Sequence, residues 1–396
     1  MARLLLLSNG HGEDLSGSLL GRRLQDLGHE VTALPLAGLG QPYQQAGIPL
    51  LGSSHEFTTG GIGYTSLKGR LTELIQGQLL YLLRRLIRLL RHSDNIDLIV
   101  VVGDVIPVIA AWLSRRPVAT YLVAYSSHYE GRLRLPWPCG QLLASRRFRA
   151  VFSRDQLTAD DLSEQLKRKV SFLGNPFMDP VLDDGDGDGR APASGPVIGL
   201  LPGSRRPELE HNLCRLFQLV EQLPVTAELS FELALVSSLD DIELAELTRT
   251  AGWTLTAGCL HRNGAPSIQV RRQAFRRVLQ NSDLIIGMAG TAVEQAVGLE
   301  KPVLQVAGDG PQFTAAFAEA QRRLLGPTVF CAPGEPDHPQ TLAAAADLVM
   351  ELVERSRTDP DLQRQCRHEA QRRLGSSGGG PTMAAAISAL CGPVKP

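Results

Sequence analysis

Two successive series of short apolar, β-branched runs, each run followed by a helical pattern, constrain this chain more than any other feature. Parallel strands need a crossover of a dozen or more residues, and a helix supplies it, so such alternation folds into a doubly wound α/β sheet. The first series places strands at residues 3–7, 30–34, 98–102, 118–123, 150–153 and 170–173. The second places them at 197–201, 230–236, near Thr254, 284–286 and 303–306. Between the two lies DDGDGDGRAPASGP, which has no strand or helix pattern and reads as a flexible linker. The expected organisation is therefore a first α/β domain over 1–182, a linker over 183–196, a second α/β domain over 197–360 and a helical tail over 361–396. A chain of 396 residues also exceeds what one hydrophobic core covers.

Composition excludes several classes. With 43% hydrophobic and 20% charged residues the chain is ordinary for a globular protein, and its formal charge of −1 gives no global basis for nucleic-acid binding. Cys139, Cys214, Cys259, Cys331, Cys366 and Cys391 form no CxxC pair, so reduced thiols are expected rather than a zinc site or disulfide framework. Asp184, Asp186, Asp188 and Gly189 mimic the start of an EF-hand loop, but Gly195 stands where the twelfth-position glutamate belongs. No metal is expected. The first seven residues read as a strand because no small-residue cleavage site follows and Gly10 interrupts them. No run approaches the roughly 20 apolar residues that span a bilayer, so a cytoplasmic location is expected, with at most peripheral contact at the inner membrane face.

The segment SDLIIGMAGTAVEQAVGLEKPVL, 282–304, carries the strongest ligand signal. A buried strand ends in a turn with Gly287 and Gly290, and a helix follows from Thr291. The amides of Thr291 and Ala292 and the positive end of that helix suit a phosphate, with Glu294 and Gln295 one turn in. The same glycine turn also serves a plain strand-to-helix connection. VIGLLPGSRRPELE, 197–210, repeats the arrangement: the strand ends at Pro202 and Gly203, Ser204 is placed to cap the next helix with Glu208 near the capping-box position, and Arg205 suits a diphosphate. Two such turns in one domain would converge on the crevice at the carboxyl ends of the strands.

In the first domain, SNGHGEDLSGSLLGRRL, 8–24, is a glycine-rich loop entering a helix. It lacks the GxGxxG spacing of dinucleotide-binding dehydrogenases. His11 could serve as a general base for a sugar hydroxyl and Asp14 could orient it or bind an acceptor; alternatively Asp14 caps the helix and His11 is a turn residue. Asp104, ending the apolar run LIVVVGD, is either a catalytic carboxylate or the cap of the next helix. The aromatic and cationic loop from Tyr125 to Cys139 suits an acceptor or a membrane surface, and equally a solvated connection. From Leu71 to Arg91, Ile75, Leu79, Leu82, Leu83, Leu86 and Leu90 form one stripe, with Arg84, Arg88 and Arg91 opposite. Such a helix covers a sheet, lies on anionic lipid, or both.

GNPFMDP (174–180), LPGSRRPE (201–208) and AGTAVEQA (289–296) together resemble segments of the lipid A disaccharide synthase family of GT-B glycosyltransferases, and most closely a related branch found chiefly in cyanobacteria. The resemblance implies a GT-B fold: two Rossmann-like doubly wound parallel-sheet domains, an interdomain cleft, and a C-terminal helix crossing back to the first domain. It implies a UDP-sugar donor held by the second domain, an acceptor held by the first, and inversion at the anomeric carbon without a metal. By family, Arg205 binds the diphosphate, Asp104 lies near the catalytic aspartate, and Gln312 in GPQFTAAFAEAQ resembles a sugar-contacting glutamine. The chain departs from the family where GEASGD becomes NGHGED, ending at Asp14, and where GIDAPD becomes GDVIPV, shifting Asp104 by one residue. His11 is similar to the glycine-loop histidine of the MGDG synthase and peptidoglycan GlcNAc-transferase branches. An ungapped match through Pro302 puts Gln295, not Glu294, on the ribose-holding glutamate. The expected activity is inverting transfer of a sugar from a nucleotide donor to a lipid-attached acceptor at the cytoplasmic membrane face, with no cofactor and no nucleic-acid partner. A UDP-sugar epimerase and a non-catalytic nucleotide-sugar or lipid-binding protein are the alternatives.

Overall fold

A computed structural model describes residues 1–52, 78–183, 195–225, 228–306, 308, 314–334 and 339–392. The chain forms two compact units, one of Met1–Asp179 with Leu374–Pro396 and one of Pro180–Arg373.

The first unit is built on β1 (Arg3–Ser8), β2 (Glu30–Pro35), β3 (Leu98–Val102), β4 (Val118–Leu122) and β5 (Phe148–Ser153). Every pairing is parallel and the order is β2-β1-β3-β4-β5. β3 and β4 are buried at every position, as strands covered by helices on both faces must be. The helices include α1 (His11–Asp26), α2 (Gln78–His92), α3 (Val105–Leu113) and α4 (Gln156–Leu166). The expected strand at 170–173 is absent: Ser171 makes one isolated bridge to Phe152, after which Gly174, at φ +89°, turns the chain away.

That turn begins a staple holding the C-terminal segment within this unit. Asn175, fully buried, donates to the carbonyls of Arg154 (2.9 Å) and Leu374 (2.8 Å) and accepts from the Tyr121 hydroxyl. Asp179 accepts the backbone N–H groups of Gly378, Gly379 and Gly380 at 2.9, 3.0 and 2.7 Å. These amides open the last helix, Gly379–Ala389, whose positive end the carboxylate meets. Gly379 must lack a Cβ because the backbone of Gly174 and Asn175 occupies that space.

The second unit contains β6 (Val197–Leu201), β7 (Ser230–Leu235), β8 (Thr254–Thr256), β9 (Cys259–His261), β10 (Ile268–Arg272), β11 (Leu284–Gly287), β12 (Val303–Gln305) and β13 (Val329–Cys331). Its sheet order is β13-β12-β11-β6-β7-β10-β9-β8, parallel from β13 to β10, with β9 and β8 antiparallel. The six parallel strands follow the doubly wound order 3-2-1-4-5-6. β9, β10 and β13 were not expected. In β10, Arg271 pairs with Glu232 and Arg272 with Asp241, so its charges are neutralised by partners far along the chain and mask the strand pattern. The helices needed below are α5 (Glu208–Glu221), α6 (Thr291–Gly298), α7 (Ala315–Leu325), α8 (Pro339–Thr358) and α9 (Pro360–Arg373).

The tail expected to return from residue 361 divides in two. α9 packs on α6, α7 and α8, and the return begins at Leu374. Arg373 explains the division: it pairs with Glu369 and donates to the carbonyls of Arg323 (2.7 Å) and Leu324 (2.6 Å), satisfying the carboxyl end of α7. No helix among the described residues is long and apolar enough to cross a membrane.

Candidate functional site

In the second unit, the strand order reverses between β6 and β11, the place where open α/β sheets bind ligands. Both turns singled out in the sequence leave these two strands. They are stitched together: Met288 N donates to Leu201 O at 2.8 Å, and Asn212 on α5 donates to Pro202 O at 2.8 Å and Met288 O at 3.4 Å. Gly203, at φ +94°, must be glycine, since a Cβ would lie 3.1 Å from Met288 O in a conformation that side chains disfavour. A Cβ on Gly287 would collide with Val293, whereas one on Gly290 would meet nothing within 4 Å. Packing therefore accounts for Gly287, and open space adjoins Gly290.

Gly290 precedes α6 and accepts from Val293 N (3.0 Å) and Glu294 N (3.3 Å). The amides of Thr291 and Ala292 have no acceptor among the described residues, leaving two N–H groups at the positive end of the helix. A glutamine chain fixes this entry from behind: Gln321 on α7 donates to Gly290 O at 3.2 Å and accepts from Gln305. Glu294 and Gln295 differ in burial. Gln295 is 6% exposed and faces inward, while Glu294 is half-exposed in the first turn.

The two arginines after Gly203 differ sharply. Arg206 bonds Glu210 at 2.5 Å, Glu243 at 3.0 Å and Ser238 O at 3.3 Å. Arg205, half-exposed, has no side-chain partner among the described residues. The expectation that Ser204 caps α5 is not met, because the cap is Pro207, with no side-chain bond, and Ser204 stands exposed three residues before it. Gln312 lies outside the described residues.

In the first unit the order reverses between β1 and β3, and the sequence-predicted polar residues gather at these strand ends. His11 is the first residue of α1 and is exposed. Asp14 does not cap α1, whose cap is Gly10 without a side-chain bond. It is buried instead and accepts from Ser8 Oγ at 2.5 Å, which accepts from the Tyr43 hydroxyl at 2.9 Å. Burial first, and then the nearby Asp14 charge, push the Tyr43 phenol well above its ordinary range. This chain of three buried groups braces the loop.

Asp104 caps α3 by accepting from Ile106 N at 2.9 Å, and its second oxygen accepts from Asn9 Nδ2 at 3.0 Å. It is 6% exposed, and burial raises its pKa above the usual carboxylate range. Glu13 lies across the same corner, since a Cβ on Gly10 would collide with its Oε2 and one on Gly103 would touch its Cγ at 3.4 Å. Asn9, Glu13 and Tyr43 escaped the sequence reading, as did Asn212 and Gln321. For the last two a signal existed: each is a polar residue on the buried stripe of its helix, beside Leu209, Leu213 and Leu216, or Ala318, Leu324 and Leu325.

The amphipathic helix is described only from Gln78, so Ile75 and the Leu79 side chain lie outside the described residues. Its faces differ from the expected pair. Leu82, Leu86 and Leu89 pack on the core, but Leu83 and Leu90 point outward. Arg88 lies against Gly52 instead of joining Arg84 and Arg91 on an outer basic face. In the loop over 125–139, Tyr125 accepts from Val105 N at 3.1 Å and Ser127 donates to Asp161 at 2.7 Å, so much of it is anchored, while Trp137 is exposed. The acidic stretch Asp184, Asp186, Asp188 and Gly189 lies outside the described residues.

No protein-family model matches the chain, and no curated protein matches it by sequence. Solved structures do match. Similar to it are the calicheamicin glycosyltransferase CalG4, at 19% identity and TM-score 0.63 over 100% of both chains, and the spinosyn rhamnosyltransferase SpnG complexed with spinosyn aglycone, at 14% identity and TM-score 0.58 over 98% of this chain and 100% of that one. A Listeria monocytogenes protein assigned as a UDP-N-acetylglucosamine 2-epimerase matches at 14% identity and TM-score 0.54, over 100% of this chain and 98% of its own. The chain thus has the GT-B fold, two Rossmann-like α/β units, a fold shared by glycosyltransferases and nucleotide-sugar epimerases.

Proposed function

We propose that the protein is an inverting glycosyltransferase that takes a sugar from a UDP-linked donor. The observation that carries this reading is the pair of stitched turns in the second unit. One presents Arg205, and the other the amides of Thr291 and Ala292, all without a partner among the described residues. A guanidinium and two N–H donors fixed on rigid elements match a diphosphate, which needs charge-assisted bonds from several directions. Glu294, half-exposed one turn in, is placed better than buried Gln295 to accept from ribose hydroxyls.

In this reading His11 is the base and Asp104 positions the loop. Both Asp104 oxygens are engaged and the residue is buried, whereas His11 is exposed at the start of α1. His11 takes the acceptor hydroxyl proton, and that oxygen bonds to the anomeric carbon. The carbon–oxygen bond to the diphosphate breaks, and Arg205 with the α6 amides holds the departing UDP. The three matching segments support membership of the lipid A disaccharide synthase-related group, and with it a lipid-attached acceptor at the cytoplasmic membrane face.

The epimerase-assigned neighbour favours a second reading in which a UDP-sugar is converted without an acceptor. A panel of UDP-sugars incubated with the protein and a membrane lipid extract separates the two. A glycosylated lipid is the expected product; an epimerised or released sugar without lipid product would replace transferase by epimerase. If no UDP-sugar raises the melting temperature, both readings fail.

A further inference from the structure

Helix α2 has two apolar faces, and only one of them serves the fold. Inward, Leu89 is fully buried, Leu82 and Leu86 pack on the core, and Arg85 is buried, donating to the Tyr81 hydroxyl (2.7 and 2.9 Å) and to Leu51 O (3.4 Å). Outward, Leu80, Leu83, Ile87 and Leu90 are 51%, 51%, 39% and 42% exposed. Their spacing of three and four residues puts them on one continuous stripe. Of the twelve exposed large hydrophobic side chains among the described residues, these four share this one helix, and no other helix or strand carries more than one. Singly scattered apolar residues need no explanation; a contiguous stripe does.

The charges identify the occupant. QLLYLLRRLIRLLRH contains no acidic residue, and Arg84 and Arg91 are exposed along one edge of the stripe. Pairing with a second copy about a two-fold axis would bring this acid-free, cationic face against itself and set like charges together. An anionic bilayer instead offers hydrocarbon to the leucines and phosphate to the guanidiniums at the same depth.

We propose that the outward face of α2, made by Leu80, Leu83, Ile87 and Leu90 and edged by Arg84 and Arg91, docks on an anionic lipid bilayer with the helix axis in the membrane plane. The surface is independent of the nucleotide grip, so it can stand or fall separately from the transferase reading.

The test is flotation of the full chain with phosphatidylcholine vesicles, with and without phosphatidylglycerol. The parent protein is expected to float with the anionic vesicles and to remain behind with the neutral ones at moderate salt. L83E/I87E and R84E/R91E should each weaken anionic-vesicle binding by at least about tenfold. All four positions are exposed, so circular dichroism and the melting temperature should match the parent. Parent-like flotation of both variants overturns the proposal. So does absence of parent flotation, and a dimer in solution that L83E/I87E dissociates would then make the stripe a self-association surface.

Discussion

Asn9 donates to Asp104 across 3.0 Å, tying the loop that leaves β1 to the loop that leaves β3 at the point where the first sheet reverses its order. Asp104 is thereby a clamp and a helix cap at once, in a site dry enough to raise its pKa. Because the folded pKa lies above the unfolded one, this group's contribution to stability is complete below the ordinary carboxylate range and is lost as pH rises through the raised value. Asp104→Asn keeps an equally good cap and never ionises. The variant should therefore gain on the parent, in melting temperature, as pH rises above the ordinary carboxylate range. A difference that does not change with pH would show that burial does not act on this carboxyl.

His11→Ala and Asp104→Asn together assign the base. His11→Ala should retain UDP binding and lose about a hundredfold to ten-thousandfold in kcat, the usual worth of a positioned proton acceptor. Asp104→Asn should keep most of its turnover. The reverse ranking, measured with a donor that the parent turns over, would move the base to Asp104.

Arg205→Ala is expected to weaken UDP binding about tenfold to a hundredfold, through loss of charge-assisted bonds to phosphate. Arg206→Ala should leave it unchanged, because Glu210 and Glu243 already hold that guanidinium. Titration calorimetry of both variants discriminates adjacent arginines of the same charge, and equal losses would remove the distinction.

Asn212→Ala removes the carboxamide that joins the Pro202 and Met288 carbonyls and should cost about 1–3 kcal/mol in urea unfolding. If the two turns form one phosphate grip, UDP affinity falls with it. Lost stability with unchanged affinity would mean that the stitch is only structural.

Asp179→Ala leaves three amides at the start of the last helix without their carboxylate and should cost about 2–4 kcal/mol of stability. Hydrogen exchange should rise across 374–389 before the rest of the first unit. Uniform exchange would show that the C-terminal return is held by its apolar contacts alone.

The sequence by itself determined the doubly wound class, ten of the strands and the two glycine turns, because runs such as LIVVV and LIIG can only be buried strands and glycine marks where they turn. It placed His11, Asp104, Arg205 and Glu294 at strand ends or helix starts from local pattern alone. Tertiary structure decided what pattern cannot carry. Asp14 is sealed by Tyr43 and Ser8, Arg206 is taken by Glu243 from another helix, and Gln295 turns inward. Periodicity reports that a helix has faces, but not which face the fold covers. In α2 both faces are apolar, and only the packing of Leu89 and the seat of Arg85 turn Leu83 and Leu90 to the outside.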